Sequence, residues 1–300
     1  MILAITGGTG FVGSHLIEAA LAAGQTVKAL TRREQPPRDG LQWVSGSLED
    51  RDSVRLLVTD ADAVVHVAGV INASDAAGFN QGNVDGTLAM LAAATAGGVH
   101  RFIHVSSLAA REPKLSLYGA SKARAEELVQ RSGLDWAIVR PPAVYGPGDK
   151  ETLELFRMAK LGMLLMPPAG RLSLIHVDDL AALLLALVGP APGNMVIEAD
   201  DGRPGGWTHR EFGRALGRAV GTRPVIMSSP ALFLRLAARA DQLVRGPRAK
   251  LTTDRAAYFS HRNWVVEPGL AAPPELWRPR IDTLQGLKAT ADWYREKGWV

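Results

Sequence analysis

Three residues near the middle of the chain carry side chains that could move a proton to or from oxygen. Tyr118 and Lys122 are four residues apart in a segment with helical spacing, which places both on one helix face. An ammonium group beside a phenol lowers the pKa of the phenol, so Tyr118 could exchange a proton with an alcohol or a carbonyl near neutral pH. Ser107 could hold the same oxygen through a hydrogen bond. We therefore predict a catalytic set of Ser107, Tyr118 and Lys122.

A glycine-rich turn near the start of the chain predicts what this set would act with. Gly7, Gly10 and Gly13 lie between an apolar strand at 1–5 and a segment with helical spacing at 15–23. Glycines three apart allow a tight turn and a close approach of the backbone to a pyrophosphate, which would rest on the N-terminus of the helix. The pattern predicts a dinucleotide-binding turn.

The second strand, at 25–30, leads into Arg32 and Arg33. In a dinucleotide-binding fold this position meets the adenosine ribose, where a carboxylate grips free hydroxyl groups and an arginine binds a 2′-phosphate. We therefore expect NADP(H) rather than NAD(H). The alternative is that both arginines only begin the polar loop at 34–40.

Further strands at 42–44, 63–67 and 101–105 alternate with helical segments, which predicts an α/β fold with a Rossmann-type doubly wound parallel sheet. Ser107 follows the fifth strand, at the sheet edge where such folds bind ligands. We predict an NADP(H)-binding domain at 1–148 and 172–200. A smaller C-terminal substrate lobe would comprise 149–171 and 201–300.

Composition excludes several other classes of site. The 300 residues are 47% apolar and include no cysteine, so neither a disulfide nor a thiolate site can form. The histidines are scattered, and no metal site is expected. The longest apolar run, 180–188, is too short to span a bilayer, and we expect no signal peptide and a cytoplasmic protein. Arginines without interleaved exposed aromatics predict no nucleic-acid binding.

The C-terminal lobe is basic and in part apolar. Residues 201–300 contain 17 Lys and Arg and 9 Asp and Glu, a net charge of +8, against −4 for the first 200 residues. An anionic substrate, a membrane or a partner could use that charge, or water could solvate it. A helix expected between Ser229-Pro230 and Gly246-Pro247 could rest on an anionic membrane or pack on its own domain. The apolar segment 161–168 fits the wall of a hydrophobic substrate site or domain packing equally well.

Taken together, these residues resemble the short-chain dehydrogenase/reductase superfamily, in its extended branch related to NAD-dependent epimerases and dehydratases. The segments 83–87, 140–148 and 176–180 contribute to the resemblance. It implies that Tyr118 is the general acid/base, that Lys122 binds the nicotinamide ribose and tunes Tyr118, and that Ser107 orients the substrate oxygen. The expected cofactor-binding residues are Gly7, Thr9, Gly10, Phe11, Val12, Arg32, Arg33, Ser47, Leu48, Val67, Ala68, Gly69, Tyr118, Lys122, Pro141, Ala143 and Val144.

The chain departs from that family pattern at informative positions. Ser47 stands where the family often has an aspartate that reads adenine. Leu108 and Ala109 replace the acidic pair that sugar-nucleotide dehydratases carry after the catalytic hydroxyl residue, which disfavours elimination of water. The interval from Ser107 to Tyr118 is shorter than in typical nucleotide-sugar epimerases.

We expect an NADPH-dependent oxidoreductase that reduces a ketone, or oxidises the alcohol, of a hydrophobic small molecule. A 3-oxo sphingolipid or ceramide, or a sterol-like ketone, fits this description. One alternative is a nucleotide-sugar epimerase or reductase that uses Arg140 and arginines near Arg210 and Arg214 for the diphosphate. Another is a noncatalytic NADPH-binding accessory subunit. A homodimer through helices beside the Tyr118 helix is compatible with the sequence.

Overall fold

The computed structural model describes residues 1–246 and 252–300. The chain forms two compact units. The first comprises Met1–Pro141, Leu180–Glu198 and Leu270–Arg278, and the second Pro142–Asp179, Ala199–Gly269 and Pro279–Val300. Three segments predicted for the first domain, 142–148, 172–179 and 199–200, belong to the second unit, and 270–278, predicted for the lobe, belongs to the first unit. The assignment of NADP(H) and substrate to separate domains stays a prediction.

Strands and helices alternate along most of the chain. The strands are β1 (Ile2–Thr6), β2 (Thr26–Thr31), β3 (Leu41–Ser45), β4 (Ala63–His66), β5 (Arg101–Val105), β6 (Asp135–Val139), β7 (Ala143–Tyr145), β8 (Met163–Met166), β9 (Arg171–Leu172), β10 (Leu174–His176), β11 (Met195–Ile197), β12 (Trp207–Thr208), β13 (Val225–Ser228) and β14 (Asn263–Trp264). The α-helices are α1 (Phe11–Ala22), α2 (Arg51–Val58), α3 (Ala76–Phe79), α4 (Gly86–Ala96), α5 (Leu117–Gln130), α6 (Leu153–Lys160), α7 (Val177–Val188), α8 (His209–Val220), α9 (Ala231–Arg245), α10 (Thr253–Ser260) and α11 (Thr283–Glu296).

The first unit is built on a seven-stranded sheet in the order β11-β6-β5-β4-β1-β2-β3, with every pair parallel. Every residue of β4 and β5 is buried, because helices cover both faces of such a sheet. The strand order reverses between β1 and β4, which is the switch point of doubly wound folds. The predicted α/β, Rossmann-type fold is confirmed.

The second unit contains small sheets and a separate apolar core. Strands β10 and β7 pair in parallel, β9 pairs with β12 and β14, and β13 pairs with β8. Phe156 packs edge-on against Tyr294 with a centroid distance of 5.1 Å, and the Tyr294 hydroxyl donates to the Asp149 carbonyl at 2.6 Å. Helix α11 is thereby anchored in this core.

Helix α9 occupies the predicted segment and begins directly after Pro230. Its predicted end at Gly246-Pro247 is described only as far as Gly246, because Pro247 lies outside the described residues. Small residues such as Ala238 face inward, while Leu232 and Leu243 are 68% and 88% exposed. Among the described residues, no helix combines the length and the apolar character that a membrane span needs.

The glycine turn between β1 and α1 allows no side chain at Gly13. A Cβ atom added there would lie 2.1 Å from the Gly7 carbonyl oxygen, and Gly7 itself has a positive φ of 72°. The Gly7 carbonyl also accepts the Gly10 N–H at 2.9 Å, so it cannot move aside without losing that bond. The turn therefore requires glycine at both ends.

We expect Gly13→Ala to lower the free energy of unfolding by about 3 kcal/mol, because the added methyl group must displace backbone rather than a flexible side chain. Unfolding in urea, followed by circular dichroism, measures the change. Gly269→Ala is the control, since a Cβ at Gly269 meets no heavy atom within 4 Å. Equal stability of the two variants would contradict this account of the turn.

Candidate active site

The carboxyl edge of the sheet delivers two serines into different environments. Strand β5 ends at Val105, and the Ser106 hydroxyl then donates to the buried Glu126 carboxylate at 2.5 Å. The Ser107 hydroxyl accepts the Ala109 N–H at 3.2 Å and caps a short 3-10 turn over Leu108–Arg111. Ser106 is therefore a structural residue, and Ser107 is the one that faces Tyr118.

Helix α5 brings Tyr118 to Ser107. The Ser116 hydroxyl accepts the Gly119 N–H at 2.9 Å and so starts the helix one residue before Tyr118. A Cβ atom at Gly119 would lie 2.5 Å from the Ala109 carbonyl oxygen, so the first turn of α5 touches the 3-10 turn that follows Ser107. This close approach places the Tyr118 hydroxyl within hydrogen-bonding reach of the Ser107 hydroxyl.

The protonation of Tyr118 differs from the expectation. Burial raises the pKa of the Tyr118 phenol, and the hydrogen bond from Ser107 lowers it by a smaller amount. The predicted lowering of the Tyr118 pKa is therefore wrong in its net direction, because burial outweighs the contacts that stabilise the charged form. The Lys122 ammonium instead donates to the Val105 carbonyl at 2.7 Å, and the phenol stays protonated at neutral pH.

Lys122 lies one helical turn after Tyr118 and is only 4% exposed. Burial lowers the pKa of its ammonium group to about 8, partly opposed by the charge of Glu126. A Cβ at Gly69 would lie 3.6 Å from Lys122 Nζ and 3.0 Å from Asn83 Oδ1. The segment 67–69, which follows β4, therefore borders Lys122. Both were predicted to bind the cofactor, and their proximity is compatible with that prediction.

Asn83 was not singled out from the sequence, although it holds three parts of the site together. Its side-chain oxygen accepts the Val70 N–H at 2.7 Å, and its amide donates to the Val70 carbonyl at 3.0 Å and to Ser121 Oγ at 2.8 Å. It thus links the chain after β4 to helix α5, between Tyr118 and Lys122. In the sequence it stood out only as the first residue of the segment 83–87, which contributes to the family resemblance.

A buried ionic network below the site was also missed. Arg140 binds Glu126 through two hydrogen bonds, Nε to Oε1 at 2.9 Å and Nη2 to Oε2 at 2.7 Å. Glu198 contacts Arg140 at 3.4 Å and Arg111 at 3.0 Å. This network ties α5 to the ends of β6 and β11. The spacing of Lys122 and Glu126, four apart, was a local signal for part of it.

The glycine turn fits the pyrophosphate of a dinucleotide. A Cβ at Gly7 would lie 2.8 Å from the Ala68 backbone nitrogen, and Thr6 Oγ1 accepts the Ala68 N–H at 3.1 Å, so the turn and the 67–69 segment are adjacent. The N-cap, Gly10, offers no side chain to the first turn of α1. The N–H groups of Phe11 and Val12 therefore lack intrahelical acceptors and can receive an anion. Thr9 lies exposed at the rim of the turn.

The positions assigned to the adenosine end follow β2 and β3. Arg32 and Arg33 are exposed just after β2, and neither guanidinium group makes an ion pair with another described residue. The Ser47 hydroxyl accepts the Glu49 N–H at 3.3 Å, so the Ser47 side chain stabilises the turn after β3. Leu48 packs against the apolar core of the first unit. An arginine pair without a local carboxylate partner fits a phosphate group.

The remaining predicted cofactor-binding residues flank position 141, where the chain passes from the first unit to the second. The Pro141 carbonyl accepts the Leu108 N–H at 3.1 Å, which brings Pro141 beside the Ser107 turn. Ala143 and Val144 belong to β7 in the second unit. The structure thus gathers the glycine turn, 67–69, Pro141 and the three catalytic candidates within the first unit, and places Ala143 and Val144 in the other.

Two histidines behind the site are structural. His66 Nδ1 contacts Thr6 Oγ1 at 2.7 Å and its Nε2 contacts Thr87 Oγ1 at 3.1 Å. Burial lowers the pKa of His66 to about 3 and that of His104 well below its usual value, so both are neutral. In the described part of the chain, no cluster of three or more histidine or acidic side chains could hold a metal ion.

Comparisons with known proteins support the assignment of the chain to a family of dinucleotide-binding enzymes. The family model described as "NAD dependent epimerase/dehydratase family" matches residues 3–196. The chain is 38% identical over 309 residues to a ceramide reductase of Caulobacter vibrioides, with 100% of this chain and 96% of the relative covered. It is 29% identical to a 4-hydroxy-2-methyl-3-oxo-4-farnesyl-3,4-dihydroquinoline-1-oxide ketoreductase of Stigmatella aurantiaca, covering 95% and 94%. Its fold is similar to that of MoeE5 in complex with UDP-glucose and NAD, with a TM-score of 0.75, 20% identity and 99% of both chains covered.

The burial of Lys122 predicts a specific pH dependence of stability. In the unfolded chain the lysine keeps its proton up to pH 10.5, whereas in the folded protein it loses it near pH 8. The unfolded state therefore binds more protons between these values, and stability rises with pH across that window. We expect the wild type to gain roughly 3 kcal/mol relative to Lys122→Met between pH 8 and 10.5.

Unfolding in urea at a series of pH values measures that difference. Lys288→Met is the matched control, because it removes a lysine whose side chain is 55% exposed and should follow the wild-type pH profile. A constant difference between wild type and Lys122→Met across the window would show that Lys122 is not desolvated.

Proposed function

This chain belongs to the NAD-dependent epimerase/dehydratase family of extended short-chain dehydrogenases/reductases, and we propose that it reduces a ketone on a long-chain lipid with NADPH. Its family membership makes it an NAD(P)-dependent oxidoreductase. The observation that carries the proposal is the half-buried Tyr118 side chain, whose phenol is hydrogen-bonded to Ser107 one helical turn from Lys122.

Reduction of a ketone adds a hydride to carbon and a proton to oxygen. A dinucleotide held by the glycine turn and Lys122 would supply the hydride when bound. Tyr118 supplies the proton, because burial raises the pKa of its phenol and keeps the proton on Oη at neutral pH. The Ser107 hydroxyl donates to the same carbonyl oxygen and fixes its position. The step yields a secondary alcohol and the oxidised dinucleotide, and it leaves a tyrosinate that regains its proton from solvent before the next turnover.

Lys122 has two roles in this proposal. Its ammonium group is charged below a pKa of about 8, so at neutral pH it favours the tyrosinate that proton transfer leaves behind. It also lies beside Gly69, where it can donate to a ribose hydroxyl. The hydrogen bond from Nζ to the Val105 carbonyl fixes the ammonium at the end of β5.

The lipid substrate is inferred from two independent sources. The two curated relatives are named for ceramide and for a farnesyl-bearing ketone, and each aligns with nearly the whole of this chain. In the second unit, the segment 161–168 has an apolar side that faces the core through Leu164 and Met166, and exposes Met163 and Leu165. Flexible methionines adapt to a hydrophobic ligand. A 3-oxo sphingolipid or ceramide is the substrate class that fits best.

The nucleotide-sugar alternative is less well supported. Arg140, the residue assigned there to the diphosphate, is engaged by two carboxylates, Glu126 and Glu198. Redirecting its guanidinium group to a ligand would leave the buried Glu126 unpaired, at a cost of about 3–5 kcal/mol. The accessory-subunit alternative leaves the hydrogen-bonded Ser107 and Tyr118 without a role.

Tyr118→Phe should lower kcat for an N-acyl 3-oxo-sphinganine about a thousandfold, because the carbonyl oxygen loses its proton donor. Binding of NADPH, measured by quenching of protein fluorescence, should change less than threefold. Ser107→Ala should lower kcat by about tenfold to a hundredfold, since it removes one neutral hydrogen bond in the transition state. Consumption of NADPH, followed by absorbance, measures the rate.

Tyr258→Phe, which removes a phenol outside the first unit, controls for general effects of the substitution and should turn over normally. Turnover by Tyr118→Phe at the wild-type rate would remove Tyr118 from the mechanism. If the wild type ignores the oxo-lipid and instead acts on UDP-glucose, the lipid assignment is wrong while the oxidoreductase assignment stands.

Replacing both Arg32 and Arg33 by serine should raise KM for NADPH tenfold or more and leave KM for NADH within threefold, because only NADPH carries the 2′-phosphate. Arg38→Ser is the matched control, since Arg38 follows the same strand but is bound by the Glu18 carboxylate. Parallel changes for the two coenzymes would mean that these arginines do not select the phosphate.

A further inference from the structure

Four arginines of the second unit line one open cleft, and none has an acidic partner among the residues that the structure describes. Arg210, Arg214 and Arg218 are spaced four apart on α8 and exposed on one face, and Arg223 follows the helix. Together with Val225 and Ile226 they line a cleft of about 940 Å³, here called the arginine cleft. No hydrogen bond or ion pair joins the four guanidinium groups to any other described residue. Four like charges without an ion-pair partner among the described residues make a strongly positive surface.

The strand that forms one wall of the arginine cleft exposes an apolar face. Val225 and Met227 of β13 stand opposite Met163 and Leu165 of β8 in the parallel register. Because side chains alternate along a strand, these four lie on one face of the ribbon, and all four are exposed. The arginines thus border an apolar surface, not a polar one.

Helix α9 continues that apolar surface along the chain. Two residues separate it from β13. It exposes five large apolar side chains, Leu232, Phe233, Leu236, Leu243 and Val244. At 100° per residue, these positions fall on one side of the helix, whereas Ala238 points the opposite way and is buried. The helix could have packed its leucines inward, but it presents them to solvent.

We propose that the second unit docks on an anionic phospholipid surface through the arginine cleft, the exposed face of β8 and β13, and α9. The arginines would contact phosphate groups, and the leucines and methionines would enter the boundary between headgroups and acyl chains. The charge supports a lipid surface, since residues 210–245 contain seven arginines and only two acidic residues. Met163 and Leu165 also support the lipid substrate proposed above, but vesicle binding is measured without turnover, so its failure would leave the oxidoreductase assignment standing.

A membrane fits this surface better than a nucleic acid does. Single-stranded nucleic acids bind where arginines alternate with aromatic side chains on which bases stack. The exposed side chains here are aliphatic or methionine, with Phe233 as the one aromatic member of the α9 set. Aliphatic side chains gain free energy in hydrocarbon and offer no stacking surface to a base.

Co-sedimentation of the full-length protein with vesicles tests the proposal. We expect binding to vesicles of phosphatidylcholine and phosphatidylglycerol in equal amounts, little binding to phosphatidylcholine alone, and weaker binding as salt rises. Arg214→Glu with Arg218→Glu should reduce the partition coefficient at least tenfold, because each arginine near an anionic surface contributes about fivefold. Arg51→Glu with Arg55→Glu, an exposed pair at the same spacing on α2, makes the same change in net charge and should bind like the wild type.

The apolar contribution needs a separate pair of substitutions. Leu232→Ser with Leu236→Ser should also weaken vesicle binding at least tenfold while leaving the thermal midpoint unchanged, since both leucines are more than half exposed. Equal loss of binding in both arginine pairs would overturn the site, because it would reflect net charge alone. Failure of the wild type to bind the anionic vesicles would overturn the proposal. Binding of single-stranded DNA in its place, or a dimer that the serine substitutions disrupt, would then show what the surface binds.

Discussion

The fixed position of helix α5 is the constraint on which the candidate site depends. At its start, the absence of a side chain at Gly119 lets the helix touch the turn after Ser107. Two turns later, the bidentate pair between Glu126 and Arg140 joins it to the end of β6. Both groups are largely buried, so removing either partner would strand a charge at a cost of about 3–5 kcal/mol. Tyr118 directly precedes the first attachment and Lys122 lies between the two, so the positions of both side chains follow from them.

Burial then decides the charge of each group. The same desolvation that raises the pKa of the Tyr118 phenol lowers that of the Lys122 ammonium, because each is pushed toward its neutral form. The Glu126 carboxylate opposes this for Lys122, which therefore stays cationic at neutral pH. A phenol that keeps its proton, one helical turn from a cation, suits proton donation to a carbonyl. The buried carboxylate thus serves both as an attachment for α5 and as a local counter-charge.

The sequence predicted the features that depend on local spacing. The glycine turn, the buried parallel strands and the four-residue interval between Tyr118 and Lys122 are all visible within short windows, and they were sufficient for the fold and the catalytic candidates. The network of Glu126, Arg140 and Glu198 joins residues far apart in the chain, so only the folded structure reveals it. The pKa of Tyr118 was predicted in the wrong direction, because burial is a property of the whole fold. An amphipathic pattern also does not say which way a helix faces, and α9 turns its leucines outward.

A long-chain lipid substrate and an exposed basic, apolar surface both favour a protein that works at a membrane. A sphingolipid ketone is held in a bilayer by the apolar area of its chains, each methylene contributing about 0.8 kcal/mol, so its concentration in water is negligible. An enzyme acting on it gains rate by residing at the membrane, whereas one acting on a nucleotide sugar meets its substrate in solution. The exposed leucines of α9 and the unpaired arginines of α8 would be a liability to a protein that stays in water. Their presence in one unit is accounted for if the lipid surface is where that unit works.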